Sequence, residues 1–357
     1  MRAALDSGPA FAPLPLDPAE RGRAVELLST GTAPPGSVVV TTSGSTGSPK
    51  AVVLPANAIR ASAQATHDRL GGPRDWVLAL PTHYVAGLMV LARAAVGGTR
   101  VTTVGGDLAG LPAAVADLDR PYLAVVPTQL RRGLDDAATT AALAGCDTVL
   151  LGGGPAEPTL VAVARDAGIA LVTTYGMSET CGGCVYDGVP LDGVRLDLAG
   201  DRVRLGGPTL FAGYWNRPDL TDAVLTDGWF VTSDRGRLVD DRLQVPGRVD
   251  DVVISGGLNV DLAEVERVAQ GWPGRGRTEL VVLGVPDPEW GTAVVAVLEG
   301  VAAPVAELKA WLAGRLPAYA APRSLLGRTE LPRTSGGKID RRTLVAQLTS
   351  TPTDAPE

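Results

Sequence analysis

The sequence predicts an α/β fold: a large N-terminal α/β domain with a parallel sheet and a β-rich subdomain, then a smaller C-terminal α+β domain. Three observations carry this. Between residues 76 and 173 short apolar runs alternate with helical stretches, the pattern of a largely parallel sheet. From about Gly193 to Val245 the texture changes to short strands separated by Gly, Asp and Pro. After the segment PGRVDDVVISGGLN, Asp261 is followed three places later by Glu264, the form of a capping box that opens a new helix.

Taken in order, residues 1–36 are rich in Pro, Ala and Gly, with one helical candidate over 18–28. A buried strand is expected over 37–42, a second over 51–54 and a helix over 57–70. The alternating layer then places strands at 76–80, 100–104, 122–126, 148–151 and 169–173, with helices at 87–96, 108–118 and 157–167. Beyond the junction come a helix over 262–270, strands over 279–285 and 293–299, and a helix over 305–316. The expected domains are 1–249 and 250–347, with 348–357 a disordered tail.

The bulk numbers suit a globular chain of about two domains. Of 357 residues 45% are hydrophobic and 20% charged, so a sizeable core is available, filled by Ala, Val and Leu because aromatics are only 4%. A net charge of −7 argues against a nucleic-acid surface. Three cysteines make no disulfide framework, no secretory signal opens the chain, and no apolar run is long enough to span a membrane. A cytoplasmic location is expected.

Residues 41–50, TTSGSTGSPK, have the chemistry of a phosphate loop. Gly44 and Gly47 free the backbone to present N–H groups, while Ser43, Ser45, Thr46 and Ser48 add hydroxyls and Lys50 a cation. A Walker loop is excluded, since Pro49 and Ala51 stand where it needs Gly and Ser or Thr. Gly152-Gly153-Gly154 lacks the spaced third glycine of a dinucleotide fingerprint.

Thr42–Lys50 resembles the phosphate loop of the adenylate-forming superfamily, and four further signatures of that superfamily follow in register. They are TTYGMSET over 173–180, TSD over 232–234, GRVDDVVISGGLNV over 247–260 and PRTSGGKIDR over 332–341. The resemblance implies a two-step ligase: a carboxylate attacks the α-phosphate of Mg·ATP, pyrophosphate leaves, and a thiol, here CoA, takes the acyl group from the adenylate. It implies a catalytic Lys338 and a Mg²⁺-holding Glu179, with Thr46 beside the metal. The nucleotide would meet Thr42–Gly47, Lys50, Gly153, Gly154, Pro155, Thr174, Tyr175 stacked on adenine, Gly176 and Ser178, with Asp234 and Arg248 on the ribose. It further implies a mobile C-terminal domain hinged at Asp250, and a pantetheine tunnel beside Gly256 and Gly257. The chemistry fits: a lysine ammonium is a compact movable charge, and Mg²⁺ takes hard oxygen ligands.

VPTQL (126–130), LLGGGP (150–155) and YGMSETCGGCVYDG (175–188) look like the o-succinylbenzoate–CoA ligases of menaquinone biosynthesis, as does the short stretch ahead of the phosphate loop. That substrate has an aromatic ring and two carboxylates, so its pocket needs an apolar slot with a donor at the far end. Tyr84, Thr128, Gln129, Tyr175 and Met177 are the candidates. Another acyl- or aryl-adenylate ligase, acting on a different acid or loading a carrier protein, stays open. So does a non-catalytic nucleotide sensor, which the presence of Lys338 and Glu179 disfavours. Tyr84 stands where the superfamily often has histidine, with His83 one place earlier, and Ser233 stands where glycine is usual. Cys181 and Cys184 form a lone C-x-x-C in a chain with only His67 and His83, so packing is expected of them, not metal or redox chemistry.

Overall fold

A computed structural model describes residues 1–350, apart from residues 7, 43–49, 156, 277, 302 and 335–336. The chain forms two compact units. The first holds residues 1–232, 238–244 and 335–338; the second holds 233–237, 245–334 and Ile339 onward. The second unit thus takes up the chain at Val245, a few residues before the Asp250 boundary read from sequence, because Arg248 pairs with both Asp234 and Asp250 inside that unit.

The first unit is built on a seven-stranded sheet in the order Val101–Thr103, Trp76–Leu78, Tyr122–Val125, Thr148–Leu151, Leu171–Met177, Gly182–Tyr186, Val189–Pro190. The first five strands pair in parallel and the last two antiparallel. Alternate residues serve opposite faces, as the two-residue strand period requires. Trp76, Leu78, Tyr122, Ala124 and Leu150 join one core with Val90 and Ala94 of the helix Val85–Gly97. Val77, Leu123, Val125, Val149 and Leu151 join the other with Leu111, Leu130, Leu143 and Leu160. Covered on both faces, Trp76–Leu78 and Tyr122–Val125 are apolar throughout, which is why their sequence runs are continuous.

Ser37–Thr42 and Lys50–Pro55 form an antiparallel pair in which Thr42 lies opposite Lys50, with Gly213–Tyr214 as a third strand. The β-rich region is a sheet of Arg195–Ala199, Arg202–Gly206, Trp229–Val239 and Leu225–Thr226, to which Arg242–Arg248 adds through Trp229–Val239. The second unit has a sheet of Leu280–Asp287, Gly291–Glu299 and Ser324–Arg328, the hairpin Val252–Ser255 and Leu258–Asp261, and the helices Leu262–Ala269, Val305–Leu312 and Arg341–Ser350. Asp261 caps the first of these helices, its Oδ1 accepting from Glu264 N at 3.2 Å.

Several expectations need correction. The helix expected over 108–118 spans only Leu111–Ala116, because Leu108 is left-handed at φ 64° and so outside any helix. The helix expected over 305–316 ends at Leu312, ahead of Gly314 at φ 74°. Pro127–Leu134 and Ala137–Gly145 are helices that the sequence reading lacks. Residues 348–350, assigned to the tail, continue the last helix, which Asp340 caps from Thr343 N at 3.0 Å and buried Leu344 and half-buried Leu348 anchor. Residues 351–357 lie outside the described residues.

Candidate active site

The parallel strand Thr148–Leu151 ends in the turn Gly152-Gly153-Gly154-Pro155, at the strand end where open α/β sheets place ligands. At the first two glycines a side chain would be crowded or strained. A Cβ on Gly152 would lie 2.4 Å from Thr174 Oγ1. Gly153 is left-handed at φ 81°, and its Cβ would lie 3.1 Å from Val126 Cγ1 and 3.4 Å from Lys338 Cε. Thr128 Oγ1 donates to Gly337 O at 3.4 Å. The first unit therefore gathers Val126–Thr128, the glycine turn and Gly337–Lys338 in one place, with Gly337 itself left-handed at φ 78°.

The adjoining strand Leu171–Met177 carries the second signature. Thr174 Oγ1 donates to Leu151 O at 3.2 Å, tying the strand to the glycine turn. Gly176 is held so close to Gly182 that any Cβ would fall 2.1 Å from its carbonyl oxygen, and the pairing bulges between Tyr175 and Gly176. Tyr175 packs on the cluster of Cys184, Val203 and Leu205, and Met177 on the cluster of Leu88, Met89 and Cys181. Ser178–Thr180 is one 3-10 turn, fixed by buried Thr180: its Oγ1 donates to Gly182 O at 2.7 Å and accepts from Met177 N at 3.0 Å.

That turn presents Glu179, whose Oε1 accepts from Tyr214 OH at 2.8 Å and whose main-chain oxygen accepts from Phe211 N at 2.9 Å. Burial, reinforced by the Glu179 charge, pushes the Tyr214 phenol above its ordinary pKa and keeps it a proton donor. The Lys50 ammonium lies 5.0 Å from the centroid of the same ring. Tyr214 thus links two residues that the motifs single out, and sequence alone does not flag it. Thr42 Oγ1 donates to Lys50 O at 3.2 Å across the base of the phosphate-loop segment. Ser43, Gly44, Ser45, Thr46 and Gly47 lie outside the described residues.

The acyl candidates divide by their bonding. Gln129 donates both amide hydrogens to main-chain oxygens, Ala79 O and Gly106 O at 2.9 Å each, and accepts from Val126 N at 3.1 Å. It braces three segments and has no donor left for a substrate, a correction to the sequence reading. Tyr84 precedes the helix Val85–Gly97 at its N-cap position without a side-chain capping bond, its ring centroid 4.3 Å from that of buried His83. Gly87 fits because its Cβ would strike Pro81 O at 2.4 Å.

One turn beyond Met89 the same helix carries Arg93, which the sequence reading passed over. It is only 4% exposed. Nη2 reaches Tyr186 OH at 3.5 Å, Nε has no hydrogen-bond partner, and the guanidinium lies 5.3 Å from the Trp76 ring centroid. Among the described residues no carboxylate pairs with it. Tyr186 lies opposite Thr174 in the strand pairing, and its ring edge is 3.2 Å from where a Gly183 Cβ would sit. Arg93 therefore stands behind the wall formed by the Thr174 strand. The available signal was a lone charge within the apolar run LMVLARAAVG.

Cys181 and Cys184 are free and fully buried, and burial raises both thiols, Cys184 to about 12, so they are packing residues. Among the described residues no three His, Cys, Asp or Glu side chains cluster as metal ligands. A single carboxylate at Glu179 suits Mg²⁺ held mainly by substrate phosphates and water.

In the second unit Arg248 bonds Asp234 Oδ1 at 3.0 Å and Asp250 Oδ2 at 2.9 Å. Burial works against the Arg248 charge, but the Asp250 hydrogen bond and the charges of Asp234, Asp250 and Asp251 hold its pKa above the ordinary value. Asp250 belongs to the 3-10 turn Val249–Asp251. Gly256 and Gly257, at φ 57° and 78°, turn the hairpin Val252–Ser255 to Leu258–Asp261.

Residues 29–215 match the AMP-binding enzyme family, and residues 264–338 match the AMP-binding enzyme C-terminal domain. The chain belongs to the AMP-binding enzyme family. Over 326 residues this AMP-binding enzyme is 46% identical to a probable 2-succinylbenzoate–CoA ligase of Mycobacterium tuberculosis, covering 87% of this chain and 84% of that one. It is 33% identical to the 2-succinylbenzoate–CoA ligase of Escherichia coli, over 85% of this chain and 67% of that protein. Among solved structures it is similar to the R195K variant of E. coli MenE with bound OSB-AMS, at 29% identity and a TM-score of 0.74, covering 90% of this chain and 72% of that one. The o-succinylbenzoate CoA synthetase of Bacillus subtilis in complex with OSB-AMP shares the fold, at 24% identity and a TM-score of 0.76 over 100% of this chain and 80% of that one.

Proposed function

We infer that this AMP-binding enzyme is a ligase that adenylates o-succinylbenzoate with ATP and passes the acyl group to CoA, releasing AMP and pyrophosphate. The observation that carries the substrate is Arg93: a buried guanidinium with no acidic partner among the described residues, behind the Thr174 strand that adjoins the glycine turn. A buried cation of this kind calls for an anion to complete it, and a second carboxylate on an aromatic acid supplies one. The 46% identity to a probable 2-succinylbenzoate–CoA ligase supports the same choice.

The roles follow from the chemistry of the side chains. Lys338, beside Gly153, bridges the reacting carboxylate and the α-phosphate as negative charge builds there. Glu179, oriented by Tyr214, holds Mg²⁺ with Thr46, and the metal supplies charge neutralisation of the phosphates when bound. Lys50 and the loop over 43–49 orient the β- and γ-phosphates, Ser178 the α-phosphate. Adenine lies on Tyr175 against Gly153, Gly154 and Pro155, with Thr174 and Gly176 shaping the floor. Asp234 and Arg248 take the ribose hydroxyls. Tyr84, Met177 and Thr128 line the acyl slot and Gln129 braces it. Asp250 is the hinge of a mobile domain of residues 250–347, whose motion brings Gly256 and Gly257 to the pantetheine arm. We place the reaction in the cytoplasm.

The test is a product assay. The protein is incubated with Mg·ATP, CoA and o-succinylbenzoate, beside benzoate, ferulate and a fatty acid, with Lys338→Ala as control. The thioester of o-succinylbenzoate alone, absent in the control, is expected. A thioester of ferulate instead would favour the 33% identical feruloyl-CoA synthases as the better guide.

A further inference from the structure

Among the described residues Arg93 has one hydrogen-bond partner, and that partner belongs to a chain of hydroxyls. Arg93 Nη2 donates to Tyr186 OH at 3.5 Å. Tyr186 OH lies 3.1 Å from Thr66 Oγ1, which in turn donates to Ser62 O at 2.9 Å. Arg93, Tyr186 and Thr66 are all buried. The direction of each bond follows from the groups at the two ends. A main-chain carbonyl only accepts, so the Thr66 hydroxyl commits its single hydrogen to Ser62 O. A guanidinium only donates. The Tyr186 hydroxyl between them therefore gives its hydrogen to Thr66 and turns an oxygen lone pair toward Arg93. The chain runs one way, from Arg93 through Tyr186 and Thr66 to the Ser62 carbonyl.

Packing fixes where this chain lies. Ser62 and Thr66 stand one turn apart on the helix Ala56–Leu70, so their hydroxyls serve the same face. The Ser62 hydroxyl donates to Cys181 O at 3.0 Å, which ties that face to the residue after the Ser178–Thr180 turn. Gly183 leaves room for the Tyr186 ring, whose Cε1 would lie 3.2 Å from a Cβ there. Arg93 is thus held by the Trp76 ring and by a hydroxyl whose lone pair is fixed toward it, while its Nε stays without a partner. An arginine that is already aimed loses less side-chain freedom on binding an anion than one that is not. Resting on the reading of Arg93 as the site for the second carboxylate, we propose that Tyr186 and Thr66 are positioning residues that set the preference for a dicarboxylic acid. They hold the guanidinium so that its remaining donors meet that carboxylate. They act through Arg93, and on the second carboxylate alone.

Thioester formation is measured with o-succinylbenzoate and with 4-oxo-4-phenylbutanoate, which has no ring carboxylate, in the wild type, Tyr186→Phe, Thr66→Val and Thr66→Ser. Phenylalanine keeps the ring and removes the oxygen that faces Arg93. Valine keeps the shape of Thr66 and frees the Tyr186 hydrogen to turn toward the guanidinium. In Tyr186→Phe the KM for o-succinylbenzoate is expected to rise about tenfold, the scale of one hydrogen bond to a charged group. The kcat should hold, as it does when an interaction made equally in ground and transition states is lost. The KM for the monocarboxylate should not change. Thr66→Val should raise the KM for o-succinylbenzoate in the same direction, and Thr66→Ser, which keeps the hydroxyl, should leave it at the wild-type value. Equal rises for both acids would show that the hydroxyls merely support the wall. A wild type that prefers the dicarboxylate, with Tyr186→Phe and Thr66→Val keeping that preference in full, would remove them from recognition. Either result overturns this proposal alone. If Tyr186→Phe does not fold, the two Thr66 variants give the same contrast. A wild type that takes both acids equally, or neither, contradicts the Arg93 reading itself. Calorimetric titration of the two acids, with AMP present, then decides on the hydroxyls by the same comparison.

Discussion

Replacing Arg93 with methionine should move binding and stability in opposite directions. An arginine 4% exposed and without a carboxylate partner among the described residues leaves a charge only partly compensated by its surroundings. Substituting well-packed apolar residues for buried charge is often neutral or stabilising by about 1–4 kcal/mol. The contact with the Trp76 ring at 5.3 Å opposes this by about 1–2 kcal/mol. Methionine fills much of the arginine volume and adapts to irregular space. The balance runs from a loss of about 1 kcal/mol to a gain of about 3 kcal/mol, so mostly a gain, and each kcal/mol shifts the midpoint of thermal unfolding by about 2–4 °C for a body of this size. For the substrate the sign reverses. A carboxylate about 4 Å from the guanidinium, at an effective dielectric constant near 20, is held by about 4 kcal/mol. Losing it should raise the KM for o-succinylbenzoate by about a hundred- to a thousandfold. Thermal unfolding without ligand and steady-state thioester assays read the two effects separately. A variant clearly less stable than the wild type, with its KM unchanged, would show that Arg93 is structural and refute the reasoning.

Tyr214→Phe removes the hydroxyl that holds Glu179 and keeps the ring beneath Lys50. It should raise the Mg²⁺ concentration needed for half-maximal pyrophosphate release about tenfold, as expected for a lost hydrogen bond to a charged group, and a metal titration reads this. Asp250→Pro should preserve o-succinylbenzoate-dependent ATP–pyrophosphate exchange while lowering thioester formation at least tenfold; equal loss of both half-reactions would remove the hinge role. The folded pKa values of His67 and His83 are lowered, in both chiefly by burial, with Arg93 adding for His67. A neutral buried imidazole contributes stability that is complete above the unfolded value near 6.5 and is lost as pH falls through the folded value. Urea unfolding should therefore show stability declining between pH 7 and pH 5, and His67→Gln should flatten that decline.

The sheet and its strands were legible because burial on both faces writes itself into a sequence as short apolar runs. Thr148–Leu151 falls where the pattern puts it, and the Asp261 cap was readable because a cap is a local hydrogen bond. Lengths fared worse where one residue decides. Nothing in the sequence marks Leu108 as left-handed, so the apolar pattern predicts too long a helix. The helices Pro127–Leu134 and Ala137–Gly145 are short, and the first begins inside a segment whose VPTQL signature drew attention to chemistry instead. In the candidate site, the contiguous signatures contain Arg248 together with its partners Asp234 and Asp250, but they contain Glu179 without its partner. Tyr214 meets Glu179 across 35 positions of chain, and Arg93 meets Tyr186 across 93. Such pairs are made by packing, and no periodicity announces them. The same holds for Arg323 on Trp290, two surface-type residues in sequence that folding turns into one stacked unit.

The account stands on recognition of an acid with a second carboxylate. The most direct measurement compares kcat/KM for o-succinylbenzoate with that for 4-oxo-4-phenylbutanoate, which lacks the ring carboxylate, under saturating Mg·ATP and CoA. A preference of about a hundredfold or more for the dicarboxylate is predicted, from the charge pair with Arg93. Equal values for the two acids would contradict the account and leave an adenylate-forming ligase whose buried arginine serves the fold.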